Sequence, residues 1–128
     1  MLSMHLEDWL TEAGAVVVAK RQVDAASLSP SEQIIYEIWL LDTETRNGGL
    51  SQYFGNRGPA QWQRCVAAAN FANLSSFRLF AAEVGAFIDS SEDAYQAFVQ
   101  QGADAENLWY KYQLPVVTEL YALCNHAL

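Results

Sequence analysis

The sequence predicts a single all-α domain, a bundle of about six helices. Apolar residues recur at helical spacing in nearly every segment, and residues that cap or stop helices separate these segments. Little of the chain has the alternating pattern of a strand. Its 128 residues, 52% of them hydrophobic, suffice for one buried core, and no repeat or linker divides them. We therefore expect residues 1–128 to form one domain.

The first helix is predicted from about Leu6 to about Val23. A run of apolar residues at helical spacing forms its inward stripe: Leu6, Trp9, Leu10, Ala13, Val16 and Val17. The three consecutive valines within it are also compatible with a buried strand, which is the alternative for this segment.

The second helix carries the most complete set of signals. Residues 29–32 read Ser-Pro-Ser-Glu, a capping box with proline in the first helical position. The pair Gly48-Gly49 ends the helix, because glycine adopts the positive φ that a helix end favours. We expect residues 50–54 to form one short aromatic helical turn and residues 55–59 to form a loop.

Four further helical regions follow. One is predicted over residues 60–69, and the next runs to about Phe87 after a break near residues 70–73. Ser90 or Ser91 caps another, which Gly102 stops, and the last runs from Ala105 to the C-terminus with a kink or division at Pro115. One core is predicted to include Trp39, Tyr53, Phe54, Trp62, Phe77, Phe80 and Tyr95.

The net charge of −8 is unevenly distributed along the chain. Residues 1–45 carry a net charge of −6, residues 46–78 carry +4 through four arginines, and residues 79–128 carry −6. An acidic surface repels nucleic acid, so direct DNA or RNA binding is disfavoured and a basic protein partner is favoured.

Other classes of function lack their sequence signals. No apolar run approaches the roughly 20 residues of a membrane span, and no signal peptide is apparent. Cys65 and Cys124 are expected to be buried thiols in a cytoplasmic protein. His5 and His126 lie at opposite ends of the chain, so neither a metal site nor a cofactor is expected. No nucleophile–base pair is present, so we expect no enzyme.

Three segments of the sequence resemble a known family. They are the helix start at residues 29–33, the pair Ile38-Trp39 and the block Asn-Gly-Gly-Leu-Ser-Gln-Tyr-Phe-Gly-Asn at residues 47–56. This is the DMP-like family of small bacterial all-helical domains of unknown function, which includes a DNA-mimic protein. The resemblance covers about residues 28–125, although Leu50 replaces the usual Phe and Arg46 stands where a second Asn is common. It implies a helical fold, no catalytic residues and, for the DNA mimic, an acidic surface that binds a transcription factor. The motif residues it marks as architectural are Asn47, Gly48, Gly49, Gln52, Tyr53, Phe54 and Asn56.

The leading functional hypothesis is a non-enzymatic acidic module that binds a basic protein. The partner is a DNA-binding regulator or, for an immunity factor, a toxin, and a homodimer stays open. The expected contacts are Glu37, Asp42, Glu44, Asp89, Glu92, Asp93, Asp104 and Glu106. Trp109 or Tyr110 is expected as an exposed aromatic anchor.

The alternative hypothesis is a small-molecule or anion site beside the turn Asn47-Gly48-Gly49. Its polar groups would be Arg46, Asn47, Gln52, Tyr53 and Asn56, with Arg57 and Arg64 as further cations. The competing interpretation of these arginines is that they pair with acids of the flanking helices. A buried Tyr53, with the amides bonded inside the fold, would contradict the site.

Overall fold

The computed structural model describes residues 2–88 and 93–126, and within them it is helical with no strand. The all-α prediction is confirmed. These ranges contain five longer helices, one α-helical turn and one 3-10 turn, where about six helices were predicted. The elements are α1 (Met4–Val23), a 3-10 turn (Ala25–Ser27), α2 (Pro30–Phe71), α3 (Ser75–Ile88), α4 (Ala94–Gln101), the short α5 (Ala103–Glu106) and α6 (Leu108–His126).

Helix α1 packs against α2, and the strand alternative for its valines is wrong. It approaches α2 closely at Gly14, where an added Cβ would lie 2.1 Å from Cδ1 of Trp39. The buried residues of α1 are Leu10, Gly14 and Val17. Val16, predicted to point inward, is 67% exposed because it lies about 100° around the helix from Val17.

Helix α2 begins with the predicted capping box. The Ser29 hydroxyl accepts the Glu32 N–H at 3.2 Å, and the Glu32 carboxylate accepts the Ser29 N–H at 2.9 Å. The helical geometry breaks at Gly48-Gly49 as predicted, with φ of +82° at Gly49. The predicted loop over residues 55–59 is wrong except at Gly58, because residues 50–57 are helical and only Gly58, also at φ +82°, interrupts them.

The later helices follow the predicted order with different ends. Asp93 caps α4 by accepting the Gln96 N–H at 3.3 Å, while the predicted caps Ser90 and Ser91 lie outside the described residues. Gly102 ends α4 as predicted, and the long last helix continues through Pro115.

The aromatic core lies where α2, α3, α4 and α6 meet. Five of its seven predicted members are buried: Tyr53, Phe54, Trp62, Phe77 and Phe80. Trp39 is only partly buried against the core, and Tyr95 is wrong as a core residue because it lies over Gly55 and is 42% exposed. Helix α4 instead buries Phe98, whose ring stacks on Phe54 with the ring centroids 5.3 Å apart.

The remaining predictions for the fold concern the two cysteines and membrane-spanning helices. Cys65 and Cys124 are buried and free, as predicted. Across the described ranges, no helix is long and apolar enough to cross a membrane.

Candidate protein-binding surface and the glycine break

The glycine break in α2 is held by a carboxylate from α5. Glu106 accepts hydrogen bonds from the backbone N–H of Ser51 at 2.7 Å and from the Ser51 hydroxyl. These bonds satisfy a donor in the first turn of the helix that restarts after Gly49. A Cβ on Gly49 would lie 3.0 Å from Cδ and Oε2 of Glu106, so glycine is needed there for the close approach as well as for the positive φ. Glu106, predicted to contact a partner, is therefore engaged within the fold.

The polar groups of the alternative site do not converge on one cleft. Tyr53 is completely buried, and Asn56 donates to the Glu44 carboxylate at 2.9 Å. Gln52 folds over Gly48, where an added Cβ would lie 2.1 Å from its Oε1. Arg46 and Asn47 line a cleft of about 270 Å³, whose lining includes none of the other three groups. The structure therefore contradicts a single site built from all five groups.

Asp42 lies at the centre of a buried hydrogen-bond network. Its Oδ1 accepts from Nε1 of Trp109 at 2.9 Å and from Nε2 of Gln113 at 2.6 Å. Its Oδ2 faces Nε of Arg46 at 2.8 Å. A carboxylate buried away from water needs hydrogen-bond donors, and α6 supplies two of them here. Asp42 is thus corrected from partner contact to buried acceptor, and the fully buried Trp109 is not an exposed anchor.

Glu37 is likewise buried rather than available to a partner. It is 1% exposed and accepts hydrogen bonds from Gln61 at 2.6 Å and from Gln33 at 3.3 Å. Burial raises the pKa of the Glu37 carboxyl, and the two amide hydrogen bonds oppose this rise. The prediction that Glu37 contacts a partner is therefore wrong. Its carboxyl is almost completely buried, and its protonation makes the stability of the fold depend on pH.

A cleft opens where α1, α2 and α6 meet, and we call it the α1–α2–α6 cleft. It has a volume of about 480 Å³ and is lined by Leu2, Glu7, Arg46, Tyr110 and Gln113. Arg46 spans it, because its guanidinium pairs with Glu7 on one side and with Asp42 on the other. The partly buried Tyr110, predicted as an anchor, lies in this wall.

The other predicted acids differ in their exposure and partners. Glu44 is mostly buried and lies 3.9 Å from Nε of Arg57. Asp93 is exposed and caps α4, whereas Asp104 is exposed and makes no hydrogen bond or ion pair with the described residues. Asp89 and Glu92 lie outside the described residues.

Two exposed acids were missed by the sequence interpretation. Asp8 and Glu12 lie on the outer face of α1, and neither makes a hydrogen bond or ion pair within the described parts of the chain. Their spacing of four residues places both side chains on one face of the helix. That spacing, opposite the apolar stripe, was the signal that could have identified them.

The four arginines of residues 46–78 are engaged within the fold. Arg46 and Arg57 pair with acids, as the interpretation of ion pairing predicted. Arg64, for which the same was predicted, instead donates to Gln61 at 2.9 Å, and Arg78 donates to Asn73 at 3.0 Å. Ion pairing is therefore confirmed for two of the three arginines to which the interpretation applied.

The comparisons with known proteins identify a family. Neither the curated proteins nor the solved structures include a match to this chain. One family model, described as DMP19-like protein, matches residues 26–123. The matched range contains the capping box, the glycine break and both Asp42 and Glu106, and it covers well over half of the chain. This protein therefore belongs to the DMP19-like protein family.

Proposed function

We propose that this protein is a non-enzymatic protein-binding module whose acidic surface binds a basic protein in the place of DNA. Membership of the DMP19-like family supports this proposal, since the family resemblance includes a DNA mimic. A DNA-binding regulator is the preferred partner, because its basic surface is already adapted to a row of negative charges. A basic toxin is the other candidate.

The observation that carries the proposal is the set of carboxylates left after internal pairing. The chain has fifteen acids and seven bases, and the fold engages the bases through ion pairs, amide hydrogen bonds and cation–π contacts. The exposed side chains of Asp8, Glu12 and Asp104 have no such partner among the described residues. These three carboxylates are available to a cationic surface without breaking any contact of the fold.

Affinity capture from extract of the native host tests the proposal. We expect a DNA-binding protein to be retained at low salt, released at high salt and displaced by duplex DNA. The triple variant Asp8→Asn/Glu12→Gln/Asp104→Asn should weaken binding of the captured protein by at least about tenfold. Displacement by high salt but not by DNA would point instead to a basic partner of the toxin class.

A matched control separates specific contacts from total charge. The triple variant Glu32→Gln/Glu44→Gln/Glu83→Gln removes the same number of charges at acids that pair with bases of the fold. Glutamine also preserves the capping box at residue 32. Equal weakening by both triple variants, or capture that does not depend on salt, would contradict the proposed surface.

A further inference from the structure

The α1–α2–α6 cleft has the size of a binding site. Its volume of about 480 Å³ lies within the range of about 300–1,000 Å³ that is typical of ligand pockets. Leu2 gives it an apolar wall, and the ring of Tyr110 gives it an aromatic one. The cleft is therefore large enough to take a side chain of another protein.

The polar groups left over in this cleft are mainly acceptors. Gln113 is 2% exposed and donates its amide N–H to Asp42, which leaves its Oε1 without a hydrogen-bond partner among the described residues. The carboxylate of Glu7 bonds only to Arg46, and its side chain is 42% exposed. The Tyr110 hydroxyl has no hydrogen-bond partner in the described ranges. An amide oxygen that lines the cleft without a donor can accept an N–H group of a ligand.

The charges around the cleft favour a cation over an anion. Two carboxylates, Glu7 and Asp42, face the single guanidinium of Arg46, so one negative charge remains uncompensated. A further anion would have to displace one of these carboxylates from Arg46. A cation instead meets the exposed carboxylate of Glu7 and the electron-rich face of Tyr110.

We propose that the α1–α2–α6 cleft receives an arginine side chain of the basic partner, with Glu7 and Gln113 accepting its N–H groups and Tyr110 packing on its guanidinium. Arginine is favoured over lysine because its planar group carries five donors and stacks on aromatic rings. The inference rests on the proposed function, since it assigns a site to the basic partner.

The test uses a small probe and requires no partner protein. N-acetyl-arginine amide is titrated into the 15N-labelled protein, and the side-chain amide signal of Gln113 reports occupation of the cleft. N-acetyl-citrulline amide, which has nearly the same shape without the charge, is the matched ligand. We expect the arginine probe to shift the Gln113 signal at concentrations at which the citrulline probe does not.

Two variants locate the interaction. Glu7→Gln, which removes the uncompensated charge, should weaken binding of the arginine probe by at least about fivefold. Glu32→Gln removes an equal charge at the start of α2, where the carboxylate pairs with Lys20, and should leave the affinity unchanged. Equal affinity for the citrulline probe, an equal effect of both variants, or preferential binding of N-acetyl-glutamate amide would overturn the inference.

The outcome is separable from that of the proposed function. If the arginine probe binds in the cleft but no basic protein is captured, the site stands and the proposed function fails. If a basic partner is captured while the probe leaves the Gln113 signal unmoved, the site fails and the proposed function stands.

Discussion

Substitution of Gly49 by alanine should destabilise the fold through two separate effects. The first is backbone strain, because φ of +82° with ψ of 179° is a conformation that residues with a Cβ rarely adopt. Strain of this kind costs about 1–3 kcal/mol. Gly58 has almost the same conformation, with φ of +82° and ψ of 173°, and should show the same cost.

The second effect is a clash with the carboxylate that caps the break. The new Cβ at residue 49 would lie 3.0 Å from Cδ and Oε2 and 3.1 Å from Cβ of Glu106, so Glu106 must move away from Ser51. Weakening a hydrogen bond to a charged group costs about 1.5–3 kcal/mol. At Gly58 an added Cβ meets no atom within 4 Å. We therefore expect a loss of about 3–5 kcal/mol for Gly49→Ala and about 1–3 kcal/mol for Gly58→Ala.

Urea unfolding followed by far-UV circular dichroism measures both losses. Both variants gain the same stabilisation from a less flexible unfolded chain, so their difference isolates the contact with Glu106. In a Glu106→Ala background this difference should disappear, since the side chain that clashes is gone. If Gly49→Ala costs no more than Gly58→Ala, or if the difference persists without Glu106, the capping role assigned to Glu106 is refuted.

Two further predictions concern the buried carboxyls. Asp42→Ala leaves Trp109 and Gln113 without their acceptor and should cost about 3–5 kcal/mol in urea unfolding, whereas Glu12→Ala on the exposed face of α1 should cost less than about 0.5 kcal/mol. Burial raises the pKa of Glu37 above its ordinary value of 4.5. The protonated carboxyl therefore makes its full contribution to stability below pH 4.5, and this contribution is lost as the pH rises through the folded-state pKa. The free energy of unfolding of Glu37→Gln, measured relative to that of the unsubstituted protein, should therefore increase as the pH rises from about 4 to about 7, and a constant difference would contradict this.

The parts of the fold that the sequence predicts are those that depend on local signals. The capping box joins Ser29 to a residue three positions away, and the break is marked in the sequence by the adjacent pair Gly48-Gly49. The side of a helix that packs inward is less local. In α4 the sequence shows Tyr95 and Phe98 at the spacing of one stripe, but the structure turns Ala97 and Phe98 inward and leaves Tyr95 at the edge.

The hydrogen-bond partner of each carboxylate could not be predicted from the sequence. Glu106 bonds to Ser51, which is 55 positions earlier, and Glu119 accepts the backbone N–H of Ser76 at 3.2 Å near the start of α3. Both act as caps for helices other than their own, so no motif of fixed spacing marks them. The same holds for Asp42, whose acceptor role depends on two donors from α6.

These internal roles narrow the surface that can act on a partner. The net charge of −8 counts the buried carboxylates of Glu37 and Asp42 and that of Glu106, which holds the glycine break. Of Asp8, Glu12 and Asp104, which have no partner among the described residues, the first two lie in α1, which precedes the family match at residues 26–123. The shared family region thus accounts for the capping box, the break and the buried acids. The carboxylates proposed to bind a partner therefore lie apart from the buried hydrogen-bond network, so their substitution should weaken binding of the partner and leave the free energy of unfolding nearly unchanged.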